Sequence, residues 1–271
     1  MKKIFALILA GLMLFSFAAC GGNTDGETTT AAPDDAVAAD SDLAYIKDKG
    51  TLIVGITDYA PMDYKEEGSE EWTGFDAEFA RLAGEKLGVA VEFIEIDWDN
   101  KFFELDAKSI DCIWNGMTIT DEALANASVS DAYVKNAQVV VMASDKLADY
   151  ATVESLADLE FAAESGSAGE AAIKDNGLNC TAVLTQADAL REVKSGAVDA
   201  CVIDITMANA MTGEGTSYAE LGYSLELTTE EYGIAFRQGS DVTAAVNEIM
   251  AELKADGTLQ GLADKYSLTL A

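Results

Sequence analysis

The fold of this chain is decided by two stretches of the same build, Ile110-Asp111-Cys112-Ile113-Trp114 and Asp199-Ala200-Cys201-Val202-Ile203. Each places an Asp before a short apolar run, a pattern typical of a buried strand. Strands and helices alternate on both sides of each stretch. Because a repeated strand-helix pattern favours parallel sheets covered by helices, the sequence predicts two α/β lobes.

The first lobe starts with the strand Leu52-Ile53-Val54-Gly55-Ile56. A helix follows, which Asp76 caps and Gly88 ends, and residues 89–96 again have strand composition. A second helix over residues 100–108 leads to the strand quoted above. Three parallel strands are therefore expected in this lobe.

The second lobe repeats the pattern, with strands at residues 138–142, 161–163, 181–184 and 199–203 and helices at residues 168–175 and 187–193. The tail contains a strand at residues 232–236 and apolar residues at helical spacing over residues 242–253. One strand and two helices are too little for a third lobe. The tail is therefore expected to pack on an earlier lobe.

Composition excludes several classes of function. The 271 residues, 49% of them hydrophobic, can bury a core, but Lys+Arg is 17 against Asp+Glu 48, and the net charge of -31 argues against nucleic acid as a partner. The absence of His excludes Ser-His-Asp hydrolysis, Cys-His proteolysis and histidine-ligated metals. No CxxC or other metal spacing is present, so no metal or cofactor is predicted.

The N-terminus has the build of an export signal. Lys2 and Lys3 precede an uncharged stretch, which predicts a signal peptide over residues 1–19. Phe17-Ala18-Ala19-Cys20-Gly21 resembles a bacterial lipobox, so Cys20 is the candidate lipidation site, with residues 20–41 as a flexible linker. The alternative is ordinary cleavage after Ala19 with a free Cys20. The lipoprotein interpretation places the protein on the extracytoplasmic face of the cell membrane.

Three further cysteines follow: Cys112, Cys180 and Cys201. An odd number in an exported protein leaves at least one thiol unpaired within the chain, and a disulfide between Cys180 and Cys201 is one possible pairing.

Two turns that are rich in small and polar residues follow strands of the two lobes, at residues 115–122 and 165–170. Ligands of open α/β sheets lie at the carboxyl ends of the strands, so facing lobes predict a ligand cleft. Each turn taken alone is also consistent with an ordinary strand-to-helix connection with a Ser or Thr cap.

Several motifs in one order carry a family resemblance. They include Trp72-Thr73-Gly74-Phe75-Asp76, the run over residues 110–120, Tyr232-Gly233-Ile234-Ala235-Phe236-Arg237 and Ala255-Asp256-Gly257. From Thr51 to Leu270 the chain resembles the extracytoplasmic solute-binding proteins, family 3, of polar amino acid ABC importers. The resemblance implies an α/β fold that is a two-lobed, periplasmic-binding-protein-like (type II) clamp with two hinge strands. Mapped here, lobe one spans residues 42–136 plus 230–271, and lobe two spans residues 137–229.

The resemblance also implies site residues. Thr118 and Ser167 match positions that bind the ligand's α-carboxylate, and Asp204 matches the acid that binds its α-ammonium. Asn115 and Gly116 occupy places of small polar contacts.

One family feature is missing, because Ala123 stands where members have the Arg that grips the carboxylate. Lys101 is the candidate replacement; the alternative is a surface lysine paired with Asp99 or Glu104. Tyr59, Tyr64 and Trp114 are expected to form an aromatic wall of the cleft, and for Trp114 a role in the core is an equally good interpretation.

The resemblance implies a protein that is not an enzyme. It is expected to be a monomeric lipoprotein that captures an amino acid or related zwitterion, closes, and delivers it to ABC permease subunits. One alternative is a periplasmic enzyme resembling cyclic acid dehydratases, with Glu170 or Glu122 as the acid. Another is a ligand-sensing lipoprotein without a transporter.

Overall fold

The computed structural model describes residues 41–271. The predicted signal peptide, Cys20 and nearly all of the predicted linker lie outside the described residues. The helices are α1 (Asp42–Lys49), α2 (Phe75–Leu87), α3 (Lys101–Asp106), α4 (Asp121–Asn126), α5 (Ala168–Asp175), α6 (Gln186–Ser195), α7 (Ile205–Met211), α8 (Val242–Ala255) and α9 (Thr258–Lys265). Short 3₁₀ helices lie at Trp98–Asn100 and Val153–Leu156.

The strands are β1 (Thr51–Ile56), β2 (Tyr64–Lys65), β3 (Trp72–Thr73), β4 (Ala90–Glu95), β5 (Cys112–Thr118), β6 (Ser128–Val129), β7 (Val134–Asn136), β8 (Gln138–Ala143), β9 (Glu160–Glu164), β10 (Asn179–Val183), β11 (Ala200–Asp204), β12 (Leu221–Glu226) and β13 (Glu230–Phe236).

Two sheets divide the described chain into two lobes. The first sheet has the order β4-β1-β5-β13-β6, and β7 also pairs with β13; the second has the order β10-β9-β11-β8-β12. Strand β1 runs parallel to β4 and β5, and β9 runs parallel to β10 and β11. The predicted two-lobed α/β fold and its parallel strands are confirmed. We call the parts built on the first and second sheets the first and second lobes.

The chain crosses between the lobes twice. Strand β7 pairs in the first sheet, and β8 follows it at once in the second sheet. Strand β12 pairs with β8 in the second sheet, and β13 then returns to the first, where it runs antiparallel to β5. The tail therefore contributes β13 to the first sheet. Helix α8 packs on α2 and β13 through Val242, Val246, Ile249, Met250 and Leu253, all of which are buried.

One predicted cap is wrong. Helix α2 begins at Phe75 behind Gly74, whose φ of 116° suits glycine, and Asp76 lies inside the first turn. The carboxylate of Asp76 is fully buried, and its Oδ2 accepts hydrogen bonds from Gly116 N at 2.6 Å and Tyr133 OH at 2.8 Å. Asp76 therefore ties α2 to the carboxyl half of β5. Gly88 ends the helix, as predicted.

The three cysteines of the described chain, Cys112, Cys180 and Cys201, are free, so the bridge left open above is not formed. Burial raises the pKa of the Cys201 thiol far above its usual value. No helix within residues 41–271 has both the length and the apolar character that crossing a bilayer requires.

Candidate ligand-binding site

A cavity of about 340 Å³ lies between the two lobes. Its walls come from the carboxyl ends of β5, β9 and β11 and from the amino-terminal ends of α4 and α5. Six of the residues singled out in the sequence line it: Lys101, Asn115, Gly116, Thr118, Ser167 and Asp204. These side chains come from both lobes, so the cavity exists only while the lobes face each other.

Tyr59, Trp114 and Tyr64, which lies in β2, are all outside the cavity lining. Tyr59 is 1% exposed, and its hydroxyl contacts the hydroxyls of Thr206, at 2.5 Å, and of Tyr232. Trp114 is fully buried and packs edge-on against Phe79, with ring centroids 4.7 Å apart. Both rings therefore belong to the interior beneath the site rather than to the expected aromatic wall.

Trp98 supplies an aromatic surface that the sequence analysis did not assign. It is largely buried, lines the cavity and begins the short 3₁₀ helix before α3. The signal was present, because Trp98 lies three residues before Lys101 on the segment that leads to the binding strand.

Asn115 and Gly116 form the floor of the cavity, and their polar groups make hydrogen bonds within the protein. Asn115 Oδ1 accepts from Thr57 N at 3.0 Å, and Asn115 Nδ2 donates to Thr57 Oγ1 at 2.8 Å. Gly116 has a φ of 58°, and a Cβ at this position would lie 2.6 Å from Cε1 of Tyr59. The polar groups of both residues hold β5 in place, and the absent side chain of Gly116 leaves room for the Tyr59 ring.

Lys101 connects the lobes. Its Nζ donates to Gly166 O at 3.0 Å across the cleft and to Trp98 O at 3.2 Å, and it lies 4.9 Å from the centroid of the Trp98 ring. Burial lowers the pKa of Lys101, while the nearby carboxylates of Glu122 and Glu164 oppose that shift. Within the described chain, Lys101 forms no ion pair with Asp99 or Glu104. The alternative of a surface lysine in such a pair is not what the structure shows.

Ser167 and Thr118 present hydroxyls on opposite walls of the cavity. Ser167 caps α5, where its Oγ accepts from Glu170 N at 3.1 Å. Thr118 Oγ1 donates to Glu230 Oε1 at 2.9 Å. Each hydroxyl therefore has one internal partner and retains capacity for a further hydrogen bond.

Asp204 lies within a cluster of side-chain amides. Its Oδ1 accepts from Gln138 Nε2 at 2.8 Å and from Asn136 Nδ2, and its Oδ2 accepts from Gln186 Nε2 at 2.5 Å. Burial, with the nearby carboxylate of Glu230, raises the pKa of Asp204 to about 7. Neutral donors hold this carboxylate firmly but do not neutralise its charge.

Glu164 is a cavity residue that the sequence analysis missed. It ends β9, it is only 3% exposed, and its Oε1 has no hydrogen-bond partner. Burial and the neighbouring carboxylate of Asp204 raise the pKa of Glu164 to about 8. The position at the carboxyl end of a buried strand, which pointed to Asp204, pointed to Glu164 equally.

Glu170, one of the two acids considered for an enzyme, is held as a carboxylate. It forms an ion pair with Lys174 at 2.7 Å, and it also accepts from Gly166 N at 3.1 Å. These bonds outweigh burial and lower the pKa of Glu170. A group of this kind is a poor proton donor, which argues against the role as acid. Glu122, the second candidate, lines the cavity.

The charge around the cavity is strongly negative. Among the described residues that line it, Lys101 is the only basic one, and five are acidic: Asp121, Glu122, Glu164, Asp175 and Asp204. Ala123, at the place of the family's Arg, also lines the cavity and adds no charge. The arrangement favours a ligand with positive charge.

Comparison with known proteins gives a consistent result. Residues 52–269 match the model of the family described as bacterial extracellular solute-binding proteins, family 3. The L-cystine-binding protein TcyA of Bacillus subtilis is 29% identical over 98% of this chain and 97% of its own length. A mutant of ArgBP from T. maritima is 31% identical, with a TM-score of 0.77 over 83% of this chain and 98% of that chain. AncCDT-1, an ancestral amino acid-binding protein and a precursor of cyclohexadienyl dehydratase, is 31% identical. Its TM-score is 0.76, over 83% of this chain and 99% of that chain.

Proposed function

The chain belongs to the bacterial extracellular solute-binding proteins, family 3, and from this membership we infer that it captures an amino acid or a closely related zwitterion between its lobes and delivers it to an ABC permease. The general function follows from the family: this is an exported solute-binding protein of the amino acid ABC transporter type. Delivery to a permease, lipid anchoring and the identity of the solute belong to the proposal.

The observation that carries the proposal is the cavity between the lobes with Asp204 in its wall. The buried carboxylate has three amide donors and no cationic partner among the described residues. An ammonium group in the cavity would supply the missing positive charge, and it would do so only while both lobes surround it. Ligand binding and lobe closure are thereby coupled.

Lys101 is proposed as the group that receives a carboxylate in place of the missing Arg. Its Nζ already donates to two backbone carbonyls, and an ammonium has three protons, so one remains for a ligand oxygen. Thr118 and Ser167 would add hydroxyl contacts on either side, while Asn115 and Gly116 shape the floor. A single donor is weaker than a two-pronged Arg contact, so we infer that a carboxylate adds less to affinity here than an ammonium does.

The division into lobes over residues 42–136 plus 230–271 and 137–229 remains an inference, supported by which strands share a sheet. We further propose that Cys20 carries the lipid anchor, that residues 20–41 tether the domain to the membrane, and that the mature protein is a monomer. Release of the protein from cells after a Cys20→Ala change would test the anchor.

We propose reversible binding without chemical turnover. The similarity to the precursor of a dehydratase leaves an enzyme as the second candidate, and the observation that favours it is the buried carboxyl group of Glu164 in the cavity. Recovery of the bound solute unchanged after prolonged incubation, followed by NMR, would support binding. Conversion of the solute would support the enzyme.

The proposal is tested by calorimetric titration of the protein with the common amino acids, their amides and their decarboxylated amines. We expect one group of related solutes to bind, and Asp204→Asn to weaken that binding about tenfold or more through loss of a buried charge partner. Asp145→Asn, an exposed change in the second lobe, is the matched control and should leave affinity unchanged. Absence of binding by every solute, or full affinity in Asp204→Asn, would count against the proposal.

A further inference from the structure

The carboxyl group of Glu164 has no hydrogen-bond partner on Oε1 within the described part of the chain. The side chain is 97% buried, as its 3% exposure implies, and no side chain or backbone group of the described residues donates to its oxygens. Lys101, the basic side chain of the described cavity lining, donates hydrogen bonds to Gly166 O and Trp98 O instead. A buried polar group without a partner is costly, so its presence in a ligand cavity needs an explanation beyond folding.

The position of Glu164 relative to Asp204 supplies that explanation. Strands β9 and β11 are parallel neighbours, with Phe161 opposite Ala200 and Ala162 opposite Cys201. Glu164 and Asp204 end these strands, so both carboxylates stand at the same edge of the second sheet and both line the cavity. The two carboxyl groups are near enough for the charge of Asp204 to raise the pKa of Glu164, and a cation bound between them would favour the ionised form of both.

The two carboxylates differ in how they are held. Three amide groups donate to Asp204, whereas no described side chain donates to Glu164, so its Oε1 is available to a donor on a ligand. Neither forms an ion pair with any residue of the described chain. The excess of acidic over basic side chains in the lining gives a second cation a favourable electrostatic environment.

We propose that Glu164 binds a second cationic nitrogen of the solute, so that the ligand is a compound with two ammonium groups on an aliphatic chain, one at Asp204 and one at Glu164. The inference rests on the proposed function and specifies its substrate class. Two sources share this chemistry, a diamino acid and a diamine without a carboxylate. The lining, with one lysine and no arginine among its described residues, fits either source.

The test compares ligands that differ only in the second cation: L-lysine against L-norleucine, and cadaverine against pentylamine, by calorimetry on the same protein. Each dication should bind at least about tenfold more tightly than its monocationic partner. Glu164→Gln should abolish most of that ratio, whereas Glu160→Gln, at the exposed start of the same strand, should preserve it. Glu164→Asp, which keeps the charge, should retain a preference for the dications.

The outcomes separate this inference from the proposed function. Equal binding of L-lysine and L-norleucine would overturn the role of Glu164 but leave amino acid capture standing, since one ammonium would then satisfy both carboxylates. A preference that survives in Glu164→Gln would also overturn it. Because the ligand pairs are compared on the unaltered protein, a variant that fails to fold does not remove the test. Tighter binding of L-lysine than of cadaverine would identify a diamino acid, and the reverse a diamine.

Discussion

Three of the buried carboxyl groups within residues 41–271, those of Asp76, Asp204 and Glu164, differ in how their charge is accommodated. Asp76 accepts hydrogen bonds from Gly116 N and Tyr133 OH, and Asp204 accepts them from three side-chain amides. Glu164 has no such donors, although it is buried to a similar degree. Hydrogen bonds thus tie Asp76 and Asp204 to the fold, whereas Glu164 lies in the cavity wall without a side-chain hydrogen bond to any described residue.

The residue-scale prediction concerns the stability of the ligand-free protein. Because burial raises the pKa of Glu164 to about 8, the folded state binds a proton more tightly than the unfolded state, in which a Glu titrates near its ordinary pKa of about 4.3. The contribution of Glu164 to the free energy of unfolding therefore falls as pH rises from about 4.3 to about 8. We expect Glu164→Gln to stabilise the protein relative to the wild type by about 3 kcal/mol more at pH 8 than at pH 5.

Urea unfolding of the two proteins at both pH values measures this difference. The groups that affect the Glu164 titration are Asp204, Asp188 and Asp97, which raise its pKa, and Lys101, which lowers it. Glu160→Gln should follow the wild-type pH profile, because Glu160 is exposed. Parallel profiles for wild type and Glu164→Gln would show that Glu164 is not held in its neutral form.

At the scale of the element, β5 changes character along its length. Its first residues, Cys112, Ile113 and Trp114, are buried core, while Asn115 and Gly116 shape the cavity floor. The antiparallel register between β5 and β13 shifts between Gly233 and Ala235. Such irregularities are common beside functional sites, where they redirect a side chain or interrupt the ladder. One strand thus supplies both the core of the first lobe and one wall of its cavity.

Gly116→Ala should strongly destabilise the protein, because a side chain at this point of β5 would be both strained and overpacked. The residue has a φ of 58°, and its new Cβ would lie 2.6 Å from the fully packed ring of Tyr59. We expect a loss of about 2–4 kcal/mol, from backbone strain together with overpacking, as measured by urea unfolding.

Gly177→Ala is the matched control for this change. Gly177 has a similar φ of 68° and nothing within 4 Å of the added Cβ, so only the strain of about 1 kcal/mol should remain. Equal losses in the two variants would mean that the Tyr59 contact does not limit this position.

At the scale of the whole molecule, side-chain contacts join the two lobes both at the cavity and beneath it. Lys101 Nζ reaches Gly166 O, Tyr59 OH contacts Thr206 Oγ1, and the backbone of Gly166 lies against Asp99. Each pairs a residue of the first lobe with one of the second. Such contacts favour the closed arrangement of the lobes, and a ligand or a mutation that alters them can shift the balance between closed and open arrangements.

Gly166→Ala should favour the open arrangement. Its Cβ would lie 2.6 Å from Asp99 Oδ1 and 3.0 Å from Asp99 Cα, across the cleft. We expect small-angle scattering to give a larger radius of gyration for this variant than for the wild type. Its free energy of unfolding should fall by about 1 kcal/mol, as in Gly177→Ala, since strain at positive φ is common to both. An unchanged radius of gyration would indicate that the Gly166 contact does not control closure.

Much of the fold was predictable from the sequence. The apolar runs at 52–56, 110–114 and 199–203 predicted their strands, and the spacing of Val242, Val246 and Ile249 predicted α8, because burial imposes a period on the chain that can be read locally. Helix α7 and strand β12, between Asp204 and β13, were not predicted. Neither Ile205–Met211 nor Leu221–Glu226 shows an alternation strong enough to distinguish it from a loop.

The sequence by itself determined the α/β class and the order of the elements, since strand and turn signals are local features, and its resemblance to a known family indicated six residues of the cavity lining. Only the tertiary structure decided that Tyr59 and Trp114 lie in the interior, that Lys101 bonds to Gly166 in the other lobe, and that Glu164 has no partner. The Lys101–Gly166 bond joins residues 65 positions apart. Whether a buried group is satisfied depends on such distant neighbours, and these are brought together only when the two lobes meet.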